Sequence, residues 1–295
     1  MNSRPMTIQI FLPDGNPHGV RVAELTTRTI RVFDVPRSLL DEFQSMPEAS
    51  QVGVYCLLQE DEAAGSTSSY IGQSGNVGGR LGQHDKVRDS WDRALIAVSL
   101  TDNMTDTHAR YLEWRSMQLA REAARFQLQN GNQGTRPHTP APLQADCEEI
   151  LDTIRVLYGT LGFPLFDPLP TGKPQETEEL FYCQGRGADA KGRMTAEGMV
   201  VLAESRCAVE PTAAATPDTL KAQRQRLLEQ GVLRLDADVP VFTRDYLFKS
   251  PSGAACAVMF RNANGWREWK TKAGESLDSA RRQSSAEPAG LENES

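Results

Sequence analysis

Two short apolar segments restrict the fold of this chain more than any other feature. Residues 52–58 (VGVYCLL) and 69–72 (SYIG) are rich in residues typical of strands, and a polar loop separates them. This pattern favours an antiparallel hairpin. Because side chains alternate along a strand, Tyr55 and Tyr70 can lie on one face of that hairpin.

The segments after the hairpin predict helices packed on a small sheet. Residues 73–76 (QSGN) offer turn and N-cap chemistry, so a helix is expected to begin there. Residues 93–100 (RALIAVSL) predict a third strand. Thr105 or Thr107 is a suitable cap for a long helix reaching about residue 129. The predicted fold is therefore α+β, a small antiparallel sheet flanked by helices.

Shifts in composition predict five segments along the 295 residues. They are a strand-rich N-terminal extension (1–48), the α+β domain with a trailing helix (49–160), a Pro-rich acidic linker (161–179), a second small α+β domain (180–278) and a disordered tail (279–295). In the second domain we expect a helix over 218–230 and a strand-rich stretch over 239–260. Asn264-Gly265 predicts a tight hairpin.

Composition limits the classes of function. A net charge of −7 argues against a non-specific DNA coat protein but allows an enzyme with a local basic patch. The five cysteines include no CxxC pair, which argues against a disulfide framework and a thiolate zinc site. The chain has neither a long apolar run nor a signal-peptide pattern, so we expect a cytoplasmic protein with no membrane association.

Several residues of the first domain suit phosphodiester hydrolysis, which needs a deprotonated water and compensation of charge on the phosphoryl group. Arg80 and His84 are four residues apart and share one helix face. Glu113 lies beside the apolar stripe of the long helix, where a carboxylate needs a partner such as Mg²⁺. The alternatives are sheet packing for the tyrosines, a solvated helix face for Arg80 and His84, and an ion pair with Arg110 for Glu113.

The ordered combination of these residues resembles the GIY-YIG nuclease domain over roughly residues 50–135. The resemblance is carried by Gly53-Val54-Tyr55, Tyr70-Ile71-Gly72, Arg80, His84 and Glu113. The first motif reads Gly-Val-Tyr, and Val suits a strand as well as Ile does. The resemblance implies a three-stranded antiparallel sheet flanked by helices and endonuclease activity, with DNA as the expected nucleic-acid partner.

The resemblance also implies a role for each residue. Tyr55 would act as general base or orient the attacking water, and Tyr70 would support the nucleophile. Arg80 would stabilise the phosphoryl transition state, and His84 would assist proton transfer. Glu113 would be the protein ligand of one divalent metal, Mg²⁺ or alternatively Mn²⁺. The products would carry a 5′-phosphate and a 3′-hydroxyl.

An Asn after the long helix commonly completes the site in that family, and the sequence leaves Asn130 and Asn132 as equal candidates. Two other functions stay open: a non-catalytic nucleic-acid-binding or regulatory protein that retains the fold, and a nuclease acting only with a protein partner.

The C-terminal segment resembles a domain of unknown function that often accompanies bacterial GIY-YIG modules, on the residues of 246–255 and 264–270. This domain is a candidate site for a protein partner. Trp266, Trp269 and the basic residues between and after them could contact nucleic acid. The alternative for the two tryptophans is core packing.

Overall fold

The computed structural model describes residues 5–61, 66–88, 90–131, 134–168, 179–210 and 217–286. Contacts divide the chain into two units, Met1–Leu169 and Pro170–Ser295. The strands of the first unit are β1 (Ile8–Phe11), β2 (Arg21–Leu25), β3 (Ile30–Pro36), β4 (Gly53–Asp61), β5 (Ser66–Ser74), β6 (Arg93–Ser99) and β7 (Gln127–Leu128). Its α-helices are α1 (Leu40–Gln44), α2 (Val77–Val87), α3 (Asp106–Ala123) and α4 (Ala141–Thr160).

The described strands of this unit form one sheet in the order β1-β2-β3-β6-β4-β5-β7. Strands β4 and β5 are the predicted antiparallel hairpin, in which Tyr55 lies opposite Gly72 and Leu57 opposite Tyr70. Strand β6 pairs with the other side of β4. The sheet is larger than the sequence predicts because β3 pairs with β6 and adds the N-terminal strands to it.

The two faces of the sheet have different cores. Val54 and Cys56 point to the face covered by α3 and α4. Tyr55, Leu57 and Tyr70 point to the opposite face, where apolar side chains of α1 and α2 pack. The predicted placement of the two tyrosines on one face is therefore confirmed. This alternation follows directly from the period of a strand.

The long helix begins at one of the two predicted caps but ends earlier than predicted. Thr105, one of the two predicted caps, begins α3. Its side chain bonds the backbone of His108, and the His108 side chain bonds the backbone of Thr105. The helix stops at Ala123 rather than near residue 129, because Ala124 adopts a left-handed conformation with φ 48°. The chain then returns to the sheet as β7, which pairs in parallel with β5.

The start of the predicted linker belongs to the first unit's core. Leu161, Leu165 and Phe166 are buried there against α4 and its neighbours. The prolines and acidic residues of this stretch suggested a linker, but its apolar residues determine its packing up to residue 168. Residues 169–178 lie outside the described part of the chain.

The second unit is α+β as predicted. Its strands are β8 (Phe181–Gly185), β9 (Ala188–Thr195), β10 (Gly198–Val201), β11 (Leu233–Asp236), β12 (Val239–Phe242) and β13 (Tyr246–Phe248). Its helices are α5 (Asp218–Glu229), α6 (Pro251–Met259), α7 (Gly265–Glu268) and α8 (Leu277–Ala286). The described strands form a sheet in the order β13-β10-β9-β8 and a separate pair, β11-β12.

Two predictions for this unit were wrong. The end of the expected strand-rich stretch is helix α6, which the Ser250 side chain caps by accepting a hydrogen bond from the Gly253 N–H. Asn264-Gly265 starts helix α7 and forms no hairpin. Gly265 is required there because a Cβ atom would lie 2.1 Å from the Pro251 carbonyl carbon. The glycine therefore allows two backbone segments to approach closely and does not form a turn.

The predicted disordered tail is helical in its first part. Helix α8 covers residues up to Ala286, and its first residue, Leu277, is fully buried against the second core. This one apolar anchor, in an otherwise polar segment, explains why composition alone suggested disorder. Residues 287–295 lie outside the described part. None of the described helices is long and apolar enough to cross a membrane.

Candidate active site

A tyrosine–histidine pair forms the centre of the candidate site. Tyr55 on β4 is 1% exposed and His84 on α2 is 6% exposed. The Tyr55 hydroxyl and His84 Nε2 share a hydrogen bond of 2.8 Å. The rings meet edge to face, with centroids 5.5 Å apart. Tyr55 therefore contributes to the core and also has a defined polar partner.

Gly72 makes room for the Tyr55 ring. It lies opposite Tyr55 on β5, and a Cβ atom at this position would be 2.4 Å from the Tyr55 hydroxyl oxygen and 2.5 Å from Cζ. Any larger residue must displace the phenol. The third position of the Tyr70-Ile71-Gly72 motif thus has a steric reason to be glycine.

Gly72→Ala is expected to lower the free energy of unfolding by about 1–3 kcal/mol, because the buried ring cannot move without disturbing the core. Urea denaturation of the full chain measures this loss. Gly131→Ala is the matched control, since a Cβ there meets nothing within 4 Å. Equal stability of the two variants would contradict the steric assignment of Gly72.

Tyr70 lies between His84 and Arg88, a cation that belongs to none of the motifs in the sequence. Its ring centroid is 5.4 Å from that of His84. The Arg88 guanidinium carbon lies 3.9 Å from the Tyr70 ring centroid, at the C-terminal end of α2. Its spacing is the one sequence signal that could have indicated this position. Arg80, His84 and Arg88 follow one another at intervals of four residues, about one helical turn.

The environment of His84 favours the neutral imidazole. Burial is the main cause that lowers its pKa to about 4, and the nearby charges of Arg80 and Arg88 contribute in the same direction. At neutral pH one ring nitrogen is therefore free to accept a proton. Assigning the unprotonated nitrogen to Nε2 makes Tyr55 the donor of their hydrogen bond.

This low pKa predicts a specific loss of stability in acid. An unfolded chain protonates His84 near pH 6.5, whereas the folded chain resists protonation until about pH 4. The unfolded state thus binds more protons between these values, and the free energy of unfolding falls by up to about 3 kcal/mol as the pH decreases from 6.5 to 4. His84→Asn should show a flatter decline in urea denaturation across this range. The exposed His18→Asn variant should follow the unmodified chain, and identical pH curves for both variants would refute the assignment.

The Tyr55 phenol is protonated at neutral pH. Burial raises its pKa to about 12, although the Arg80 guanidinium beside the hydroxyl acts in the opposite direction. The neighbouring Tyr70 and Glu113 add to the increase. Tyr55 therefore cannot act as a base unless it gives up its own proton as it receives another.

Arg80 and Glu113 approach this pair from two different helices, α2 and α3. Arg80 is exposed on α2, donates to Gln83 Oε1 at 2.9 Å and interacts with the Tyr55 hydroxyl, which raises the pKa of Arg80. Glu113 on α3 is half-buried. Burial raises its pKa, while the Gln73 backbone N–H and the Arg80 charge oppose this increase.

The alternative ion pair between Glu113 and Arg110 is absent from the described residues. Glu113 instead faces Gln73, which follows the Tyr70-Ile71-Gly72 motif, and the charge of Arg80. The carboxylate of Glu113 thus belongs to the same cluster as Tyr55, Arg80 and His84.

Asn130 lies next to the cluster but is engaged with the backbone. Its Oδ1 accepts from the Ile71 N–H at 2.9 Å, and its Nδ2 donates to the Ile71 carbonyl at 2.8 Å. The side chain therefore extends the pairing of β5 beyond β7 and holds the residue between Tyr70 and Gly72. Asn132, the other candidate, lies outside the described residues.

Comparisons with known proteins add information on the second unit. Residues 181–281 match the family model of a domain of unknown function, DUF4357. This match supports the predicted C-terminal domain of unknown function. No curated protein and no solved structure matches the chain. The resemblance of residues 50–135 to nucleases consequently depends on the residues and geometry described above.

Proposed function

We propose that this chain is a metal-dependent endonuclease of the GIY-YIG type that hydrolyses phosphodiester bonds in DNA. The observation that carries the proposal is the hydrogen-bonded Tyr55–His84 pair with Arg80 and Glu113 beside it. The proposal is also supported by the β4–β5 hairpin, since Tyr55 and Gly72 occupy opposing positions in it.

Arg80 is the group suited to the charge of the phosphoryl oxygens. Its guanidinium is exposed, and interaction with Tyr55 raises its pKa, so it remains a cation at any working pH. A planar fork of donors can bind two oxygens of a phosphate at once. Charge that grows on these oxygens during the reaction strengthens the contact, which is the condition for catalysis.

Tyr55 and His84 together can remove a proton from water, although neither is basic enough alone. As the Tyr55 oxygen takes a proton from the attacking water, its own proton passes along the 2.8 Å hydrogen bond to His84 Nε2. The neutral state of His84 leaves that nitrogen able to accept it. The Tyr70 ring packs against His84, and Arg88 packs in turn on the Tyr70 ring.

Glu113 fits a hard divalent cation such as Mg²⁺ or Mn²⁺. The described residues contain no cluster of three or more His, Cys, Asp or Glu side chains that could enclose a metal. Mg²⁺ does not need such a cage, since it is commonly held by one or two carboxylates together with waters and substrate phosphate. A half-buried carboxylate with no ion-pair partner among the described residues suits that role. A bound metal would stabilise the leaving oxygen.

A cleavage panel with the purified full chain tests the proposal. Plasmid, linear, branched and single-stranded DNA, with an RNA arm, are incubated with Mg²⁺, Mn²⁺ or a chelator. We expect cleavage that requires metal and leaves 5′-phosphate and 3′-hydroxyl ends. Arg80→Ala should reduce the rate about 10²- to 10³-fold, the usual cost of losing one donor to a developing oxyanion.

The controls separate the competing functions. Arg110→Ala, on α3, removes an arginine outside the cluster and should leave cleavage unchanged. DNA binding with no cleavage in either metal would identify a non-catalytic nucleic-acid-binding protein. Cleavage that appears only with a co-purifying protein would identify a nuclease dependent on its partner.

A further inference from the structure

The open face of the sheet in the second unit carries a row of lysine, tyrosine and lysine. Tyr182 on β8 pairs with Lys191 of β9 on one side. On its other side it forms a bridge with Lys270, with hydrogen bonds of 2.7 and 2.9 Å between the two backbones. Directly paired residues project from the same face, so the three side chains are neighbours.

This face is distinct from the core face of the same strands. Phe181 and Cys183, on either side of Tyr182, are buried in the second core, which α6 helps to form. Lys191 and Lys270 are exposed and Tyr182 is half-buried. The row is therefore presented to solvent on a rigid sheet.

A cleft of about 430 Å³ adjoins the row. Its lining includes Tyr182, Gln184, Lys270, Thr271 and Lys272. This cleft offers an aromatic ring, an amide, a hydroxyl and two ammonium groups within one concave surface.

The positive charge of this surface is only partly offset by acidic side chains. Glu268 also lines the cleft, but its Oε1 accepts from Arg261 at 2.6 Å. Asp189, two residues before Lys191 on β9, accepts a hydrogen bond from the neutral Gln184 amide at 2.9 Å and keeps its negative charge. Among the residues that the structure describes, none forms an ion pair with Lys191 or Lys270, and the same holds for Lys272.

We propose that this face binds single-stranded nucleic acid, with a base stacked on Tyr182 and backbone phosphates on Lys191, Lys270 and Lys272. The two lysines of the row are separated by two strand spacings, about 10 Å, which places cations on both sides of the ring. Aromatic side chains between cations form the usual platform for unpaired bases, because every base has a π face. A duplex, whose bases are already stacked, would lose that contact.

The second unit's tryptophans do not form this surface. Trp269 is fully buried, and its Nε1–H donates to the Pro251 carbonyl at 3.1 Å, so core packing is its role. Trp266 is 40% exposed but does not line the cleft. Lys270 is the one predicted contact residue of this segment that belongs to the row.

Fluorescence anisotropy with a labelled short oligothymidylate tests the proposal, using the full chain in the Glu113→Gln background with chelator. Binding is thus measured without cleavage. A chain that does not bind the oligonucleotide would contradict this inference and would leave the proposed nuclease activity untouched. Lys191→Glu/Lys270→Glu should weaken binding about tenfold or more and reduce the salt slope of log K by about 1.4, since each phosphate on a single strand contributes about 0.7. Lys221→Glu/Lys249→Glu, two exposed lysines outside the row, is the matched control.

The role of the aromatic ring is tested separately. Tyr182→Leu should weaken binding about tenfold, whereas Tyr182→Phe should bind like the unmodified residue. With an abasic strand of the same length, Tyr182→Leu should have no effect. Thermal melting confirms that each variant is folded, and Lys191→Gln/Lys270→Gln replaces the charge-reversed pair if that pair unfolds. Equal binding by the row and control variants, or equal loss with the abasic strand, would overturn the proposal.

Discussion

Glu113→Gln is expected to reduce metal-dependent DNA cleavage by at least about 10²- to 10³-fold, while the chain remains folded. The substitution keeps the size of the side chain and its hydrogen bonding but removes the negative charge that would hold a divalent cation. Losing the metal removes several kcal/mol of transition-state stabilisation. Initial cleavage rates over a Mg²⁺ titration measure the effect, because partial metal binding would shift the titration and complete loss would flatten it.

The environment of Glu113 predicts a second signature of the same metal. Burial raises the pKa of this carboxyl, and metal binding requires its deprotonated form. Mg²⁺ should therefore raise the melting temperature at neutral pH. As the pH is lowered, this increase should disappear at a higher pH than it would for a glutamate with an ordinary pKa. Glu122→Gln, on the exposed side of the same helix, should retain both cleavage and this stabilisation. Unchanged cleavage in Glu113→Gln would show that the metal assignment is wrong.

The hairpin and the orientation of its tyrosines were predictable because they depend on local rules. Because side chains alternate along β4, Tyr55 and Val54 point to opposite faces of the sheet. The short polar loop favours pairing of β5 with β4. The sequence also indicates that Arg80 and His84 share a helix face. It cannot indicate the hydrogen bond from Tyr55 to His84, since this contact depends on how α2 packs on the sheet.

Two of the wrong predictions, those at Gly265 and Leu277, share one physical cause. Gly265 belongs to an Asn-Gly pair, the strongest local signal for a tight turn, but its actual constraint is the Pro251 backbone fourteen residues earlier. Leu277 likewise anchors α8 through contacts with a distant core. In both cases tertiary contacts override a local preference, and composition within a short window cannot reveal them.

Arg88 illustrates a different limit. A single arginine at the end of a helix belongs to no sequence motif. Its position over the Tyr70 ring depends on how α2 packs against β5. The row on the second unit's sheet is similar. Lys191, Tyr182 and Lys270 are widely spaced along the chain and become neighbours only through strand pairing.

Tyr55→Phe is expected to reduce cleavage about 10²- to 10⁴-fold, the range typical of losing general acid–base catalysis. The buried ring remains, so the core and the space beside Gly72 are preserved, and only the hydroxyl that joins water to His84 is lost. Single-turnover rates at saturating metal measure the chemical step. Tyr158→Phe is the control, because it removes another buried hydroxyl of the same unit, one that donates to the Leu95 carbonyl at 3.3 Å.

The pattern across pH distinguishes catalysis from packing in these variants. If Tyr55 passes its proton to His84, the rate should fall in acid as His84 becomes protonated near pH 4. Tyr55→Phe removes the link between the two groups, so its residual rate should no longer follow that titration. A variant that merely loosened the core would keep the shape of the profile at a lower rate. Protonation of Glu113 would also lower the rate in acid by weakening metal binding, so both chains are compared with Mg²⁺ raised to saturation at each pH. An acid limb that Tyr55→Phe still shares under these conditions would exclude the proposed proton path, whereas its loss would support a relay through the Tyr55 hydroxyl.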